Sequence, residues 1–453
     1  MLLLQLRNNL TYDPELSPSL VKWNERIDCC GWQGVNCNGA GQVIGLDLTH
    51  EWFSGSINPL ANLKFLSVIR LDENNLSAPF SRVLRGLLQS NCLESKILLR
   101  VLYLNFLQMD LYNVCFLAIQ NSQEVYPSPL GTLGCYQMFH FGAAILQVQY
   151  RLVSVYFAHN SFNGSIPSFR LSKTLTYANF RRNLLTGEII SSNWYGLENL
   201  ETLDFSDNSI SGLIPPSFFS LPSLTDLRPN DNKFYGQIKE LQNVTSPLTN
   251  LDLSGNNLAG PLPDFFFQLH NLSRLSLSFN NFSGTVKLCK FTKLKQLANL
   301  DLSHNRLSVD ADISESDIAL LPQLFVLRLA SCNLRTVSFL KNNQFGFLRS
   351  VKQPYRRFGF LNSLDLHANL LTGEVPLPPP TALYVDLSRN KFYGFISADF
   401  SNHLSNAWFF SVAHNKISGT IPSSISNATN LEVLDLSSNS LNGSIPACLA
   451  NKA

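Results

Sequence analysis

The sequence predicts a solenoid of short stacked repeats, in which a strand from each repeat joins one parallel β-sheet. Three observations support this fold class: an asparagine that recurs about every 24 residues, an alternating L-x-L segment before it, and a G-x-I-P segment after it. The recurring residue, called the marker here, falls at Asn160, Asn183, Asn208, Asn232, Asn256, Asn280, Asn305, Cys332, Asn369, Asn390, Asn415 and Asn439. Successive markers are 21 to 27 residues apart, except for one interval of 37.

Each part of the pattern L-x-x-L-x-L-x-x-N has a structural meaning. The L-x-L alternation has period two, so both leucines face one side of a short strand, and strands of successive repeats stack in parallel. The marker amide is expected to bond to the backbone of neighbouring turns, where cysteine can replace it. The glycine and proline that follow suit positive φ and a missing donor on the other side. The sequence therefore predicts a leucine-rich repeat solenoid, a right-handed superhelix with a concave sheet and short 3-10 or irregular convex segments.

Composition excludes several classes of protein. The 453 residues would suggest about three domains, but a repeat array escapes the size limit of a single core. A net charge of +2 with 15% charged residues argues against a nucleic-acid-binding face, and 45% hydrophobic residues argue against disorder. No apolar run reaches the roughly 18 residues of a membrane helix, and the first residues lack the features of a secretory signal. The sequence thus fits either an intracellular protein or a chain that lacks both ends.

The amino-terminal region carries the most specific motif. An apolar helix is expected at the start, followed by W-x(n)-C-C-x-W-x-G-V-x-C through Trp23, Cys29, Cys30, Trp32, Gly34, Val35 and Cys37. This segment, with the L-x-G-x-I-P tails, resembles the plant leucine-rich repeat receptor-like proteins, in particular the disease-resistance or Verticillium wilt resistance type. The resemblance covers residues 2–80 and 152–449. It implies that the chain is truncated at both ends.

The resemblance also implies properties of the cap and of the whole protein. In the family cap, a cysteine ahead of the helix pairs with the first of the two adjacent cysteines, so Cys29 lacks a partner here, while Cys30 and Cys37 could form a disulfide. The family consists of plasma-membrane receptors of plant cells, with an extracellular ectodomain, one membrane helix and no kinase. They perceive pathogen or developmental signals and relay them through partner receptor kinases.

The predicted organisation has four parts: an amino-terminal cap (1–42), the first repeats (43–83), an irregular segment (84–151) and an array of about eleven to twelve repeats (152–449). The irregular segment carries no complete repeat. It is either an island domain that binds ligand or, as its unpatterned apolar composition favours, translated intron or frame-shifted sequence. A smaller irregularity is expected between Cys332 and Asn369, where KQPYRRFGF interrupts the pattern.

No motif predicts an enzyme, a metal site or a cofactor. The sequence has no G-x-S-x-G, H-E-x-x-H or P-loop pattern. His159, His304, His367 and His414 precede the marker by one or two residues and, by sequence, lack a partner acid or thiol at ligand spacing. The aspartates at Asp204, Asp252, Asp301, Asp365, Asp386 and Asp435 recur at one repeat position, which favours a structural role.

The surface best suited to binding is the concave sheet, where residues alternating with the buried leucines project. Candidate contacts for a peptide, protein or glycan ligand are Tyr156, His159, Asn179, Arg181, Arg182, Asp207, Arg228, Asp231, Arg274 and Phe279. Arg181, Arg182, Arg228 and Arg274 could form a basic track for carboxylates of a peptide or an acidic sugar. The alternative is that these are ordinary solvated strand positions.

Eight N-x-S/T sequons give weak support for secretion, since the repeat is itself rich in asparagine and serine. They are Asn9, Asn75, Asn163, Asn243, Asn271, Asn281, Asn427 and Asn442. Taken together, the sequence predicts a ligand-recognition ectodomain of a receptor-like protein, in defence or developmental signalling, that acts with co-receptor kinases and without catalysis. The alternatives are a soluble inhibitor of a microbial cell-wall hydrolase and a truncated gene copy without function.

Overall fold

The computed structural model describes residues 2–77, 79, 152–242, 244–337 and 360–450. Nearly all of the irregular segment predicted at 84–151, the sequon at Asn243 and the centre of the irregularity before Asn369 lie outside these residues. The chain divides into two units, which are described separately. Unit 1 comprises Met1–Ala178 and Ser192–Asn199, and unit 2 comprises Asn179–Ser191 and Leu200–Ala453.

The cap in unit 1 consists of short helices and two antiparallel strand pairs. Its elements are α1 (Leu2–Asn8), β1 (Leu10–Thr11), α2 (Pro18–Lys22), a 3-10 helix (Cys29–Gly31), β2 (Val35–Cys37), β3 (Val43–Asp47) and β4 (Ser54–Gly55). Strand β1 pairs with β4, and β2 pairs with β3. Gly55 has a φ of 116°, and a Cβ there would lie 2.4 Å from the Asn9 carbonyl oxygen, so only glycine permits this pairing.

A disulfide joins Cys30 to Cys37, whose Cα atoms are 5.6 Å apart. It is the pair that the cap pattern indicates. Cys29 has a free thiol. The stacked indoles of Trp23 and Trp32, with ring centroids 5.2 Å apart, fill the space between the disulfide loop and α2.

The L-x-L segment of each repeat forms a short parallel strand of the main sheet. In unit 1 these strands are β3, β5 (Val68–Arg70) and β6 (Ser154–Tyr156), and β8 (Tyr177–Asn179) ends at the unit boundary. In unit 2 they are β10 (Thr202–Asp204), β12 (Asp226–Arg228), β14 (Asn250–Asp252), β16 (Arg274–Ser276), β18 (Asn299–Asp301), β20 (Val326–Arg328), β21 (Ser363–Asp365), β23 (Tyr384–Asp386), β25 (Phe409–Ser411) and β27 (Val433–Asp435). Each pairs in parallel with the next.

A second set of parallel strands follows the markers, and the sequence did not predict it. The strands are β7 (Asn163–Gly164) in unit 1 and, in unit 2, β9 (Leu184–Glu188), β11 (Ser209–Gly212), β13 (Lys233–Gln237), β15 (Asn257–Gly260), β17 (Asn281–Lys287), β19 (Arg306–Asp310), β22 (Thr372–Glu374), β24 (Lys391–Gly394), β26 (Lys416–Thr420) and β28 (Ser440–Asn442). These strands are additional to the short 3-10 segments that the sequence predicts after the marker. The N-x-L-x-G segment also alternates with period two, so its residues pair with the same segment of the next repeat, as Ile210 does with Gly187.

Short helices complete the turns. The 3-10 helices are Asn58–Asn62, Ser191–Asn193, Pro216–Ser220, Asp264–Gln268, Leu288–Lys293 and Ser423–Asn427. The remaining α-helices are α3 (Glu315–Leu320), α4 (Phe400–His403) and α5 (Ala447–Ala450). None of the described helices combines the length and hydrophobicity that a membrane crossing requires.

Buried leucines and marker amides hold the repeats of unit 2 together. Leu251 and Leu253, the two leucines of one L-x-L segment, are fully buried. The Asn256 Nδ2 donates to the carbonyls of Pro229, Leu253 and Ser254 at 3.0 to 3.2 Å. Its Oδ1 accepts the Phe234 N–H at 3.0 Å. The same amide thus satisfies backbone groups of two repeats, which confirms the role predicted for the marker.

Candidate ligand-binding surface

The main face of unit 2 is defined here as the outward side chains of its main-sheet strands and of the two residues before each marker. In β14, for example, Asn250 and Asp252 flank the buried Leu251 and are half-buried, and Ser254 and Gly255 precede the marker. Because neighbouring strands are in register, equivalent side chains of successive repeats lie in rows across the sheet.

The residue immediately before each marker lies in a turn and not in the strand. These residues have left-handed backbone conformations, with φ of 53° at His159, 51° at Arg182, 55° at Asp207, 52° at Asp231 and 53° at Phe279. The prediction that these five candidates project from a strand was therefore wrong. The marker amide pulls the chain inward directly after the strand, and the preceding residue must take a positive φ to make that turn.

Three of the four arginines in the predicted basic track are balanced by aspartates on the main face. The Arg181 Nε lies 3.0 Å from the Asp207 Oδ2, and the Arg182 Nε lies 3.5 Å from the same atom. Arg228 lies 2.6 Å from Asp226 Oδ2 and 3.9 Å from Asp204 Oδ2. A track of unpaired positive charge is therefore not present at these three positions.

Arg274 and Phe279 differ from the paired arginines. Arg274 is exposed, and the described part of the chain offers it no ion pair. Phe279 is 61% exposed, and its ring stacks on His304 with centroids 4.4 Å apart. A large apolar ring at this level of exposure gains little from folding, so it is available to a ligand.

The other candidates have local partners. The Asn179 Oδ1 accepts the Arg181 N–H at 3.0 Å, and the Asp231 Oδ2 accepts the Asn230 amide at 2.8 Å. In unit 1, the Tyr156 ring stacks on Tyr177 with centroids 4.4 Å apart.

The repeated aspartates form a structural ladder, as their spacing suggested. The Asp204 Oδ1 accepts the Ser206 N–H at 2.9 Å and its hydroxyl at 2.7 Å, and Asp301 accepts the Ser303 N–H at 3.0 Å. Burial raises the pKa of both carboxyl groups above their ordinary value. The contacts close the turn after each strand, which is a folding role.

One cluster contradicts the prediction that the histidines lack a partner acid. The His367 Nδ1 lies 2.7 Å from the Asp365 Oδ1, and its ring centroid lies 5.2 Å from that of His304. One potential ligand atom each from Asp365, His367 and Asp386 lies within 4.8 Å of the other two. The sequence did contain a signal, because in D-x-H the histidine comes two residues after an aspartate that ends a strand, within reach of its carboxylate.

The electrostatics of the two histidines differ. The hydrogen bond that His367 donates to the Asp365 carboxylate raises the pKa of His367 above its ordinary value. Burial, followed by the neighbouring charge of His367, lowers the pKa of His304. The pKa values of the two neighbouring imidazoles are therefore shifted in opposite directions.

An aromatic platform lies beside this cluster. The Tyr384 ring stacks on Phe409 with centroids 4.5 Å apart, and Trp408, which is 43% exposed, meets both rings. Burial, then the charge of Asp386, raises the pKa of Tyr384 to about 12. The ligand contacts predicted from the sequence lie between Tyr156 and Phe279 and do not include these rings, because aromatic residues at strand positions also suit a core.

Comparisons with known proteins agree with this architecture. The model of the leucine-rich repeat N-terminal domain matches residues 2–38, and leucine-rich repeat models match 199–221, 246–307 and 430–452. The chain is a leucine-rich repeat protein.

Among curated proteins, the chain is 35% identical over 175 residues to Receptor-like protein 7 of Arabidopsis thaliana, and 32% identical over 166 residues to Receptor-like protein 32 of the same plant. Each match covers 35% of this chain and 17% of the relative. The chain is thus similar to plant receptor-like proteins over about a third of its length, and it spans only about a sixth of the length of these relatives.

Solved structures show the same fold. The ectodomain of the Arabidopsis receptor kinase GASSHO1/SCHENGEN3, in complex with CASPARIAN STRIP INTEGRITY FACTOR 2, has a TM-score of 0.64 and 22% identity, covering 99% of this chain and 51% of that one. The Arabidopsis receptor kinase HAESA, in complex with the peptide hormone IDA and the co-receptor SERK1, has a TM-score of 0.54 and 19% identity, covering 99% and 87%.

Proposed function

We propose that this chain is the ligand-recognition part of a plant cell-surface receptor-like protein, and that it binds its ligand on the main face without catalysing a reaction. The observation that carries the proposal is the exposure of Arg274 and Phe279, two large side chains that contribute little to the fold. Arg274 and Phe279 belong to the same repeat. A guanidinium and an aromatic ring so placed suit an extended peptide, which offers both carboxylates and apolar side chains.

The paired arginines also suit such a ligand. Ion pairs between exposed side chains contribute only about 0–1 kcal/mol, so a ligand carboxylate can replace Asp207 as the partner of Arg181 or Arg182 at low cost. Of the two solved neighbours, HAESA is in complex with the peptide hormone IDA, and the GASSHO1/SCHENGEN3 ectodomain is in complex with CASPARIAN STRIP INTEGRITY FACTOR 2. A peptide is therefore the first ligand class to test, ahead of a glycan or a folded protein.

The positions of the sequons support an extracellular role. The seven sequon asparagines within the described residues are all exposed, and none lies in a main-sheet strand. Glycans at these sites would leave the main face uncovered. Residence at the plasma membrane, a role in defence or development, and signalling through co-receptor kinases form part of the same proposal.

The test is a selection of secreted plant peptides on the immobilised, glycosylated chain, followed by affinity measurements with variants. We expect Arg274→Ala/Phe279→Ala to weaken binding of a selected peptide at least tenfold, which is about 1.4 kcal/mol. The matched control is Lys233→Ala/Tyr235→Ala on β13 of the second sheet, a similarly exposed basic and aromatic pair, which should leave the affinity unchanged.

The proposal fails if the β13 variant loses binding while the Arg274/Phe279 variant keeps it. It also fails if no secreted peptide binds and the chain instead blocks a microbial cell-wall hydrolase in an activity assay.

A further inference from the structure

Two histidines and two aspartates from three repeats meet on the main face of unit 2. His304 follows β18, Asp365 ends β21 and is followed by His367, and Asp386 ends β23. One potential ligand atom each from Asp365, His367 and Asp386 already lies within 4.8 Å of the other two, and the His304 ring centroid is 5.2 Å from that of His367. Imidazole nitrogen with carboxylate oxygen is the donor set of zinc and related ions.

The orientation of His367 is what a metal ligand needs. The Asp365 Oδ1 accepts the His367 backbone N–H at 3.1 Å and lies 2.7 Å from its Nδ1, so Nδ1 carries the proton and donates to the carboxylate. The lone pair of the ring is then on Nε2, on the side away from Asp365. A carboxylate that fixes a histidine through its other ring nitrogen is the usual second shell of a histidine-bound metal.

The surroundings of the cluster leave space for a cation and include a carboxylate that no cation neutralises among the described residues. The repeat between β18 and β21 places only Ala330 at the position equivalent to His367, and a methyl group there lets the His304 ring reach across to His367. Arg328 lies 3.9 Å from Asp301, and no ion pair to Asp386 occurs within the described residues. The Asp386 Oδ1 accepts the Ser388 N–H at 2.9 Å, and the Asp386 carboxylate lies beside the His367 imidazole without a cationic partner among the described residues.

We propose that this cluster binds one divalent transition-metal ion, with Zn²⁺ as the reference ion. His367 through Nε2, His304 and Asp386 are the ligands, and Asp365 is a positioning residue. Ligand atoms around tetrahedral zinc are roughly 3.3 Å apart. The potential ligand atoms of His367 and Asp386 lie within 4.8 Å of each other, so rotation about the χ angles of these half-exposed side chains has to bring them closer.

The test is direct titration of the metal-stripped, full 453-residue chain with Zn²⁺ by calorimetry, and with Co²⁺ by visible absorption. We expect one site of micromolar or tighter affinity, and Co²⁺ absorption bands typical of a four- or five-coordinate ion. His367→Ala and Asp386→Asn should each weaken Zn²⁺ binding at least tenfold, and His304→Ala should weaken it and change the Co²⁺ spectrum.

Two matched controls occupy the same repeat positions outside the cluster. His414 precedes its marker with the same φ of 53° as His304, and Asp252 ends β14 as Asp386 ends β23. His414→Ala and Asp252→Asn should leave the affinity unchanged, with circular dichroism used to verify that every variant is folded. Equal affinities of the His367→Ala and His414→Ala variants, or no stoichiometric binding by the folded wild-type chain, would overturn the proposal. Neither result decides the peptide proposal, since Arg274 and Phe279 are not ligands. Because the Phe279 ring stacks on His304, His367→Ala is the variant that separates the metal site from the peptide site.

Discussion

Several polar side chains in this protein are buried and hydrogen-bonded to the backbone. Asp72 in unit 1 shows how such an environment affects the stability of the fold. Its Oδ1 accepts the Ala158 N–H at 2.7 Å, while burial, with smaller contributions from Asp47 and Glu73, raises the pKa of its carboxyl group to about 6. The folded state therefore holds the Asp72 proton more tightly than the unfolded state does. The Asp72 carboxyl group therefore stabilises the folded state at acidic pH, and this stabilisation is lost as the pH rises through 6.

We therefore expect Asp72→Asn to be more stable than the wild type at pH 8, because the neutral amide can still accept the Ala158 N–H without the cost of a partly buried charge. The gain should be about 1 kcal/mol after allowance for solvent screening, and it should vanish near pH 4. Urea unfolding at both pH values measures it. Glu25→Gln, at an exposed cap position, is the control, and a gain that persists unchanged at pH 4 would contradict the assigned pKa.

The sequence identified individual residues well where one repeat position has one structural task. The marker asparagines and ladder aspartates were assigned correctly because hydrogen-bonding geometry within the repeat determines them. The ion pairs of Arg181 and Arg228 were not predicted. Arg181 pairs with Asp207 of the next repeat, and Arg228 pairs with Asp226 of its own strand and with Asp204 of the preceding repeat. The same holds for His367: its bond to Asp365 is local in sequence, but its approach to His304 crosses an intervening repeat.

At the scale of elements, the 3-10 segments of unit 2 carry an aromatic core. Phe265 meets Phe219 and Phe266 edge to face, with centroids 5.0 and 4.9 Å apart, and all three are buried. The rings bridge two repeats that are separated by a third, since Phe219 belongs to Pro216–Ser220 and the others to Asp264–Gln268. The described residues of the intervening repeat form no helix between these two segments, so the rings contact each other across it.

Phe265→Ala should lower the free energy of unfolding by about 3–4 kcal/mol, since it removes a fully buried ring and leaves a cavity between two repeats. Phe265→Leu should cost less than half as much because it fills most of that volume. Phe395, which is 69% exposed, provides the control, and Phe395→Ala should change stability by less than about 0.5 kcal/mol. Chemical denaturation distinguishes the three; equal losses for Phe265→Ala and Phe395→Ala would refute the packing role.

The second sheet was missed at this scale for a physical reason. The N-x-L-x-G strands are short and contain glycine and serine, which have low strand propensity. They form because the main sheet and the markers already hold successive repeats at strand spacing. The second-sheet strands thus pair because the repeats stack. The sequence of an N-x-L-x-G segment alone does not indicate how the repeats stack.

At the scale of the whole molecule, the main-sheet strand of each repeat of unit 2 is hydrogen-bonded to the strands of the adjacent repeats, so a local defect should affect mainly those repeats. Asn256→Ala removes three donated and one accepted hydrogen bond from buried backbone groups. We expect it to cost about 3 kcal/mol and to speed amide hydrogen exchange in β12, β14 and β16 without changing exchange in β25. Asn257→Ala, an exposed neighbour, should do neither, and uniform acceleration across unit 2 would contradict nearest-neighbour coupling.

The left-handed residue before each marker has a practical consequence for finding the ligand. An L-residue there carries a backbone cost of about 1 kcal/mol that glycine avoids, and Gly255 already occupies this position in one repeat with a φ of 63°. Substituting glycine at Asp231, Phe279 or His414 therefore deletes a surface side chain while relaxing the main chain. If such a variant has a higher melting temperature and no longer binds the ligand, misfolding is not the cause of the lost binding. Glycine substitutions in these turns therefore distinguish the loss of a ligand contact, which accompanies higher stability, from a folding defect, which lowers stability.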